Sequence, residues 1–174
     1  MKRLPRNTGM TILEVAVVMV IIAIIASMLL PFLGSARSRA EEARCHANLR
    51  NLFVGASGYM QANGSWPQIP NALILSDQKE YARMWVAALK PYGIPYVTWI
   101  CPTIQGALAT PIATDDQDEN YRVDYIGVSF DEEPSSPYPD IPYPWFVEKS
   151  GAHGRGNLFI LSDGSTKSIE DLKP

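Results

Sequence analysis

One acidic side chain, Glu14, stands near the start of the most apolar stretch of this 174-residue chain, residues 9–33 (GMTILEVAVVMVIIAIIASMLLPFL). A charge at the edge of an apolar helix is costly in hydrocarbon unless the charge is paired or functional. Glu14 is therefore a candidate functional residue.

The chain has few side chains that could bind zinc through sulfur or nitrogen. They are two thiols, Cys45 and Cys101, and two imidazoles, His46 and His153. Two cysteines do not form a four-ligand zinc site unaided. If this part of the chain lies outside the cytoplasm, a single Cys45–Cys101 disulfide is geometrically possible. The alternative is a pair of small, buried, apolar thiols.

A second candidate for chemistry is the pair His153 and Asp163, with Gly164 following the aspartate. A histidine oriented by an aspartate can act as a general base. No G-x-S-x-G nucleophile motif accompanies the pair anywhere in the sequence. The alternative is an aspartate that stabilises a turn and a histidine packed over a hairpin, and we expect no enzymatic activity.

An acidic run at residues 115–120 is the candidate metal site. Asp116, Asp118 and Asn120 alternate as at the start of a calcium loop. However, Tyr121 stands in place of the loop glycine, and Gly127 stands where a bidentate glutamate is needed. The run is therefore not an EF-hand, and a solvated acidic loop is the alternative to calcium. We expect no other cofactor.

Charge is distributed unevenly along the chain, which has 15 basic and 18 acidic residues and a net charge of −3. The first nine residues hold Lys2, Arg3 and Arg6 and no acid, which leaves 12 basic against 18 acidic side chains beyond Gly9. This balance argues against nucleic-acid binding, which needs a basic face opposed to phosphate. It favours a membrane orientation with the N-terminus in the cytoplasm.

The apolar run behind this basic leader is long enough to cross a bilayer. As a helix, residues 10–33 would span about 36 Å. A cleaved secretory signal is one interpretation, but its apolar region is normally about 7–15 residues long. A plain membrane anchor is a second, although it does not account for Gly9, Thr11 and Glu14. Pro31 interrupts the backbone hydrogen bonding of such a helix and predicts a bend near its end.

The window Gly9-Met10-Thr11-Ile12-Leu13-Glu14 resembles the cleavage and methylation site of type IV prepilins and type II secretion pseudopilins. The resemblance implies that prepilin peptidase cuts between Gly9 and Met10 and methylates the new N-terminus. Met10 departs from the usual phenylalanine. Glu14 matches the glutamate that pairs with the N-terminal amine of a neighbouring subunit, and Pro31 lies where pilin-like helices bend or locally melt in a filament. Some major pseudopilins also bind calcium in a head loop.

Beyond the apolar run, residues 34–62 predict an amphipathic continuation of the helix, ended by Asn63-Gly64. Small residues are expected on its packing face. Cys45-His46-Ala47-Asn48-Leu49 resembles the CxxNL helix end of one pilin-like subgroup. The expected stripe consists of Ala36, Ala40, Ala43, Ala47, Leu52, Ala56 and Tyr59.

The remaining residues, 63–174, predict a globular α/β head. Asp77 and Glu80 are a capping pair for a helix over residues 78–90, and Asp163-Gly164 predicts a hairpin between residues 157–161 and 166–169. His153 with nine residues before Asp163-Gly164 matches the H-X9-DG element of a pilin-like subgroup, and Trp99-Ile100-Cys101-Pro102 is a weaker link to it. Other expected segments are strands at 96–101 and 121–130, a loop after Pro102, and an extended proline-rich surface loop at 131–144.

Together these features predict an α+β, ladle-shaped pilin-like fold with four parts: a leader (1–9), a transmembrane helix that also forms the filament core (10–33), its amphipathic continuation (34–62) and the head (63–174). The resemblance implies a structural subunit of a type II secretion pseudopilus or a type IV pilus-like filament. Its expected partners are membrane lipid, prepilin peptidase, an inner-membrane assembly platform and other pilin-like subunits. We expect a single-pass bacterial inner-membrane protein whose head is extracytoplasmic. The alternatives are a membrane-anchored binding module that does not polymerise and an envelope hydrolase using His153 and Asp163.

Overall fold

The computed structural model of the chain describes residues 10–108, 110–130, 142–151 and 156–172. Its residues group into two compact units, Met1–Arg39 and Ala40–Pro174. Gly9, His153 and residues 131–141 of the proline-rich loop lie outside the described residues, so the predictions made for them stay predictions.

One long helix, α1 (Ile12–Asn63), occupies 52 residues at the N-terminal end of the described chain. It ends at the predicted stop, where Gly64 adopts a positive φ of 71° and its N–H donates to the Met60 carbonyl at 2.8 Å. The positive φ is why glycine suits this position. Pro31 lies within α1, and its side chain is outside what is described.

The predicted packing stripe of α1 is confirmed in its second part and wrong in its first. Leu52 and Ala56 are buried, and Tyr59 packs half-buried against the core. The four alanines of the first part, Ala36, Ala40, Ala43 and Ala47, are exposed. Larger side chains are buried there instead, because they remove more apolar surface from water than alanine does. The buried apolar residues of α1 are Cys45, Leu49, Leu52, Ala56 and Met60.

Two shorter helices follow, α2 (Leu73–Ser76) and α3 (Gln78–Leu89). The predicted cap of α3 is confirmed, since the Asp77 carboxylate accepts a hydrogen bond from the Glu80 backbone N–H at 2.9 Å. Helix α3 ends one residue before the predicted Lys90, which begins a 3₁₀ turn, Lys90–Tyr92.

The strand predicted at residues 96–101 is wrong. Tyr96–Trp99 forms a 3₁₀ turn, and the expected loop after it contains a helix, α4 (Pro102–Leu108). Asp124 binds the backbone at the end of this segment in place of a neighbouring strand. The Asp124 N–H donates to the Trp99 carbonyl, and the Asp124 carboxylate accepts from the Cys101 N–H, both at 2.8 Å. Pro102 favours the helix because its fixed φ suits a first turn.

The head contains a four-stranded antiparallel sheet of order β1-β2-β3-β4, comprising β1 (Tyr125–Gly127), β2 (Pro144–Glu148), β3 (Leu158–Leu161) and β4 (Thr166–Ser168). The β3–β4 hairpin is confirmed. The strand predicted at 121–130 shortens to β1, and the sequence analysis missed β2. Pro144 belongs to β2 and not to the predicted loop. Proline is tolerated there because it is the first residue of the strand.

Four tryptophans fill the core between the sheet and the helices. Trp66, Trp85, Trp99 and Trp145 are all nearly inaccessible to solvent. The Trp66 ring lies 4.7 Å from the Trp145 ring and 5.8 Å from the Trp85 ring, and its N–H donates to the Val128 carbonyl at 2.9 Å. A long N-terminal helix with a small antiparallel sheet confirms the predicted α+β class.

Candidate functional site

The first turn of α1 is closed by reciprocal hydrogen bonds between Thr11 and Glu14. One carboxylate oxygen of Glu14 accepts from the Thr11 N–H at 2.7 Å and from the Thr11 hydroxyl at 3.0 Å. The Glu14 N–H in turn lies 3.3 Å from the Thr11 hydroxyl oxygen. This is a capping box, which satisfies backbone donors that the helix itself leaves unpaired.

Behind this cap, α1 is apolar on every side. Residues Ile12–Leu30 have a mean hydropathy of 2.9, and none of them is buried. Nineteen helical residues measure about 28 Å, close to the thickness of a bilayer hydrocarbon core. Among the described residues this is the helix whose length and composition suit a membrane span. No described residue of its own unit covers this apolar surface.

A family model described as "Prokaryotic N-terminal methylation motif" matches residues 4–30. The chain carries this motif. The match includes Gly9, Met10, Thr11 and Glu14, so it covers both the capping box and the apolar run. No curated protein and no solved structure matches the chain.

The methylation motif supports the prepilin-like family and implies processing by prepilin peptidase and assembly into pilin-like polymers. It points to a structural subunit rather than an enzyme. Together with the apolar helix it fits a membrane-anchored, single-pass protein. Met10, the expected new N-terminus, directly precedes the cap residue and is exposed.

The predicted pair Cys45 and Cys101 lies together in the core of the head. The two sulfurs are 2.8 Å apart, and both residues are completely buried. A third residue that sequence analysis did not single out, Glu148 of β2, is also completely buried there, and its carboxylate and both sulfurs lie within 4.8 Å of one another. The contact with Cys101 lowers the pKa of Cys45, whereas the contact with Cys45 and burial raise that of Cys101.

Two sequence motifs that are distant along the chain meet at this thiol pair. Asn48, one turn after Cys45 on the same face of α1, donates from its side-chain amide to the Ile100 carbonyl at 3.0 Å. The CxxNL segment and the Trp99–Pro102 segment therefore form one cluster. On the neighbouring face, the His46 ring nitrogen Nδ1 lies 3.1 Å from the Thr166 hydroxyl of β4.

The turn of the β3–β4 hairpin contains Asp163 and Gly164. Oδ1 of Asp163 accepts from the Ser165 N–H at 2.8 Å, and hydrogen bonding by Ser165 holds the pKa of Asp163 below its ordinary value. Gly164 has a φ of 80°, and an added Cβ there would lie 3.3 Å from the Phe53 ring of α1. In this structure Asp163 is a turn residue; its relation to His153 is outside the described part.

The acidic run at residues 115–120 forms a tight surface loop. The Asp118 carboxylate accepts from the Asn120 and Thr114 N–H groups, which lowers its pKa. Two cationic side chains hydrogen-bond to backbone carbonyls of the loop. The Arg83 guanidinium donates to the Asp116 carbonyl at 2.7 and 2.9 Å, and the Lys79 ammonium donates to the Glu119 carbonyl at 3.2 Å. Calcium binding by Asp116, Asp118 and Asn120 remains a prediction.

Sequence analysis missed the residues that hold Cys101 in place. Asp124 is buried, bonds to the backbone on both sides of Ile100 and pairs with the Arg122 guanidinium at 3.1 Å. A lone glutamate in the otherwise apolar string PWFVE was the available signal for Glu148. Nothing in the sequence around Asp124 indicated its role, because the backbone groups that it binds, in Trp99 and Cys101, lie more than 20 residues away.

Proposed function

We propose that this chain is a structural subunit of a type II secretion pseudopilus or a type IV pilus-like filament, carried in the bacterial inner membrane before assembly. Prepilin peptidase cuts after Gly9 and methylates Met10. The head stays outside the cytoplasm, because Lys2, Arg3 and Arg6 retain the leader inside. The observation that carries the proposal is the methylation motif coinciding with a capped helix whose 19-residue, predominantly apolar span Ile12–Leu30 has no buried residue.

Uncovered apolar side chains on all sides of a helix are stable in lipid, or in a bundle of identical helices. The proposal uses both environments in succession: lipid before assembly and neighbouring subunits afterwards. Pro31 provides the place where the helix bends during that transfer. The H-X9-DG resemblance favours the pilin-like subgroup whose heads end in a hairpin.

Glu14 has two functions in this proposal. Within one subunit its carboxylate closes the capping box with Thr11. Between subunits it pairs with the methylated N-terminal amine of a neighbour, since an ionised carboxylate has capacity for about four hydrogen bonds. The pair offsets the cost of placing either charge in an apolar environment and fixes how far one helix slides along the next.

Three variants of the full chain test the proposal. Gly9→Leu should abolish the shortened mature band, because the peptidase no longer accepts the site. Glu14→Ala should be processed normally but yield little assembled fibre. Glu14→Gln is the matched control for capping, because glutamine closes a capping box without carrying charge.

We expect Glu14→Gln to assemble as poorly as Glu14→Ala, with the mature band intact. Normal fibre yield from Glu14→Gln would contradict the proposed charge pairing between Glu14 and the N-terminal amine of a neighbour. Processing of Gly9→Leu would refute the cleavage site. Crosslinking in cells separates the filament from a tethered binding module, because only the filament gives a ladder of oligomers linked through α1.

A further inference from the structure

We propose that Cys45 and Cys101 form a disulfide bond in the mature protein, tying α1 to the segment that precedes α4. The proposal rests on the proposed placement of the head outside the cytoplasm, where thiols are oxidised. The geometry carries it: the two sulfurs are 2.8 Å apart in a completely buried position.

Hydrogen bonds on each side hold the two cysteines in this arrangement. On the helix side, Asn48 binds the Ile100 carbonyl, one residue before Cys101. On the other side, Asp124 binds the Trp99 carbonyl and the Cys101 N–H. Asp124 is itself fixed by Arg122, whose guanidinium also binds the Gln105 side-chain oxygen in α4 at 2.8 Å. The backbone from Trp99 to Cys101 is thus anchored from two directions, so packing of the native head places the two sulfurs against each other.

A metal ion is the competing occupant, because Glu148 supplies a third donor within 4.8 Å of the sulfurs. Two thiolates on one tetrahedral zinc lie about 3.8 Å apart, given a zinc–sulfur bond of about 2.3 Å. The observed 2.8 Å is shorter than this separation. The sulfurs therefore face each other too closely to share a metal, and the spacing favours a covalent bond of about 2.05 Å.

The bond forms by exchange with a disulfide-bearing oxidant of the envelope, written R–S–S–R. The thiolate of one cysteine attacks a donor sulfur and releases one R–S⁻. The second thiolate then attacks the mixed disulfide and releases the other R–S⁻. Two cysteine thiols lose two protons and two electrons, and the donor becomes two R–SH. Exchange precedes final packing, because both sulfurs are inaccessible in the folded head.

Such a bond would close a loop of 57 residues containing α2 and α3. Closing a loop of this length removes much conformational freedom from the unfolded chain. We therefore expect reduction to lower the Tm of the head by roughly 10 °C or more.

The first test measures the state of the thiols in cells. The full chain is extracted from membranes under denaturing conditions with an alkylating agent, and its mass is determined with and without prior reduction. The proposal predicts no adduct without reduction and two adducts after it. Two adducts without reduction would overturn it, as would one zinc per chain by elemental analysis of the undenatured protein.

A second measurement tests whether the two thiols can form a disulfide at all, independently of where the head lies in the cell. The full chain is purified in detergent, reduced in denaturant, and refolded into detergent in the presence of oxidised glutathione, so that the reagent reaches both thiols before the head packs. Thiols that are reduced in cells but close readily here would refute the oxidised state in cells and point to an error in the proposed location. Thiols that fail to close in both settings would refute the geometry and leave the proposed filament function standing.

Variants of the full chain in detergent give the third measurement. Reduction in denaturant, followed by refolding with reductant present, should lower the Tm of the unmodified chain to near that of the Cys45→Ser/Cys101→Ser double variant, and leave the double variant unchanged. Glu148→Gln should keep the reductant-sensitive Tm, because it removes a metal donor without touching the thiols. A Tm that is insensitive to reductant in the unmodified chain would overturn the proposal without recourse to any variant.

Discussion

At the scale of single residues, several polar side chains act by binding backbone N–H groups a few positions away. Glu14 closes the first turn of α1, Asp77 caps α3, and Asp163 stabilises the β3–β4 turn. The bonds that Asp163 accepts favour its charged form and so lower its pKa. Folding is then linked to pH through Asp163.

Asp163 provides a test of this linkage. Its folded pKa lies below the unfolded value of about 3.9, so its contribution to stability is present above that value. The contribution is lost as the pH falls through the folded pKa, because the unfolded state then binds more protons. Asp163→Asn retains an acceptor for Ser165 but does not titrate.

We expect the Tm of Asp163→Asn to remain close to that of the unmodified chain at pH 7 and to fall less between pH 5 and pH 3. Thermal unfolding at a series of pH values checks this. Asp163→Ala, which also loses the hydrogen bond, should have a lower Tm at pH 7. An unchanged pH dependence in Asp163→Asn would contradict the assigned linkage.

At the scale of elements, the second half of α1 is the surface on which the head's other segments pack. From residue 40 onward it binds Ile100 through Asn48 and Thr166 through His46, and it packs Phe53 against the Gly164 turn. Close approach of this helix requires a glycine at one position. A Cβ at residue 55 would overlap the buried side chain of Ile94.

Gly55→Ala should therefore destabilise the head by roughly 1–3 kcal/mol through overpacking. In an open helix the same change stabilises by about 1 kcal/mol. Gly34→Ala in the same helix is the matched control, because an added Cβ there meets nothing within 4 Å. We expect no loss of stability from Gly34→Ala.

A compensating change sharpens this test. Ile94→Ala makes room for the added methyl group, so combining it with Gly55→Ala should cost less than the sum of the two single changes. Free energies of unfolding from denaturant titration give the comparison. Strict additivity would show that residues 55 and 94 do not compete for space.

At the scale of the whole molecule, the two units differ in what stabilises them. The N-terminal unit exposes its apolar side chains, which in the proposed function are covered by lipid and then by neighbouring helices. The head has its own core, and all four tryptophans of the chain lie in it. Tryptophan fluorescence therefore reports the unfolding of the head alone.

Trp66 is the central contact of that core, and its indole hydrogen bond distinguishes it from Trp85. The Trp66 N–H binds the Val128 carbonyl, whereas the Trp85 N–H has no partner among the described residues. Trp66→Phe should cost more stability than Trp85→Phe, by about 1 kcal/mol, because it also removes the hydrogen bond to the Val128 carbonyl. Fluorescence-monitored denaturation of both variants measures the difference, and equal costs would contradict it.

The sequence by itself determined the features that depend on neighbouring residues. The long apolar run with Glu14 near its start, the stop at Gly64, the cap at Asp77 and the turn at Asp163-Gly164 each need only a few consecutive positions. Backbone sterics and local hydrogen bonds act over that range, so the residue types alone predict them. The methylation motif belongs to the same class, since it lies within residues 4–30.

Only the tertiary structure decided which distant segments meet. Residues 96–101 have side chains typical of a strand, but a 3₁₀ turn forms there. Asp124 hydrogen-bonds to the Trp99 carbonyl and the Cys101 N–H. The convergence of Cys45, Cys101 and Glu148 depends on how α1, the segment before α4 and β2 pack together. Such contacts are set by the total burial that a packing arrangement achieves, which no short stretch of sequence contains.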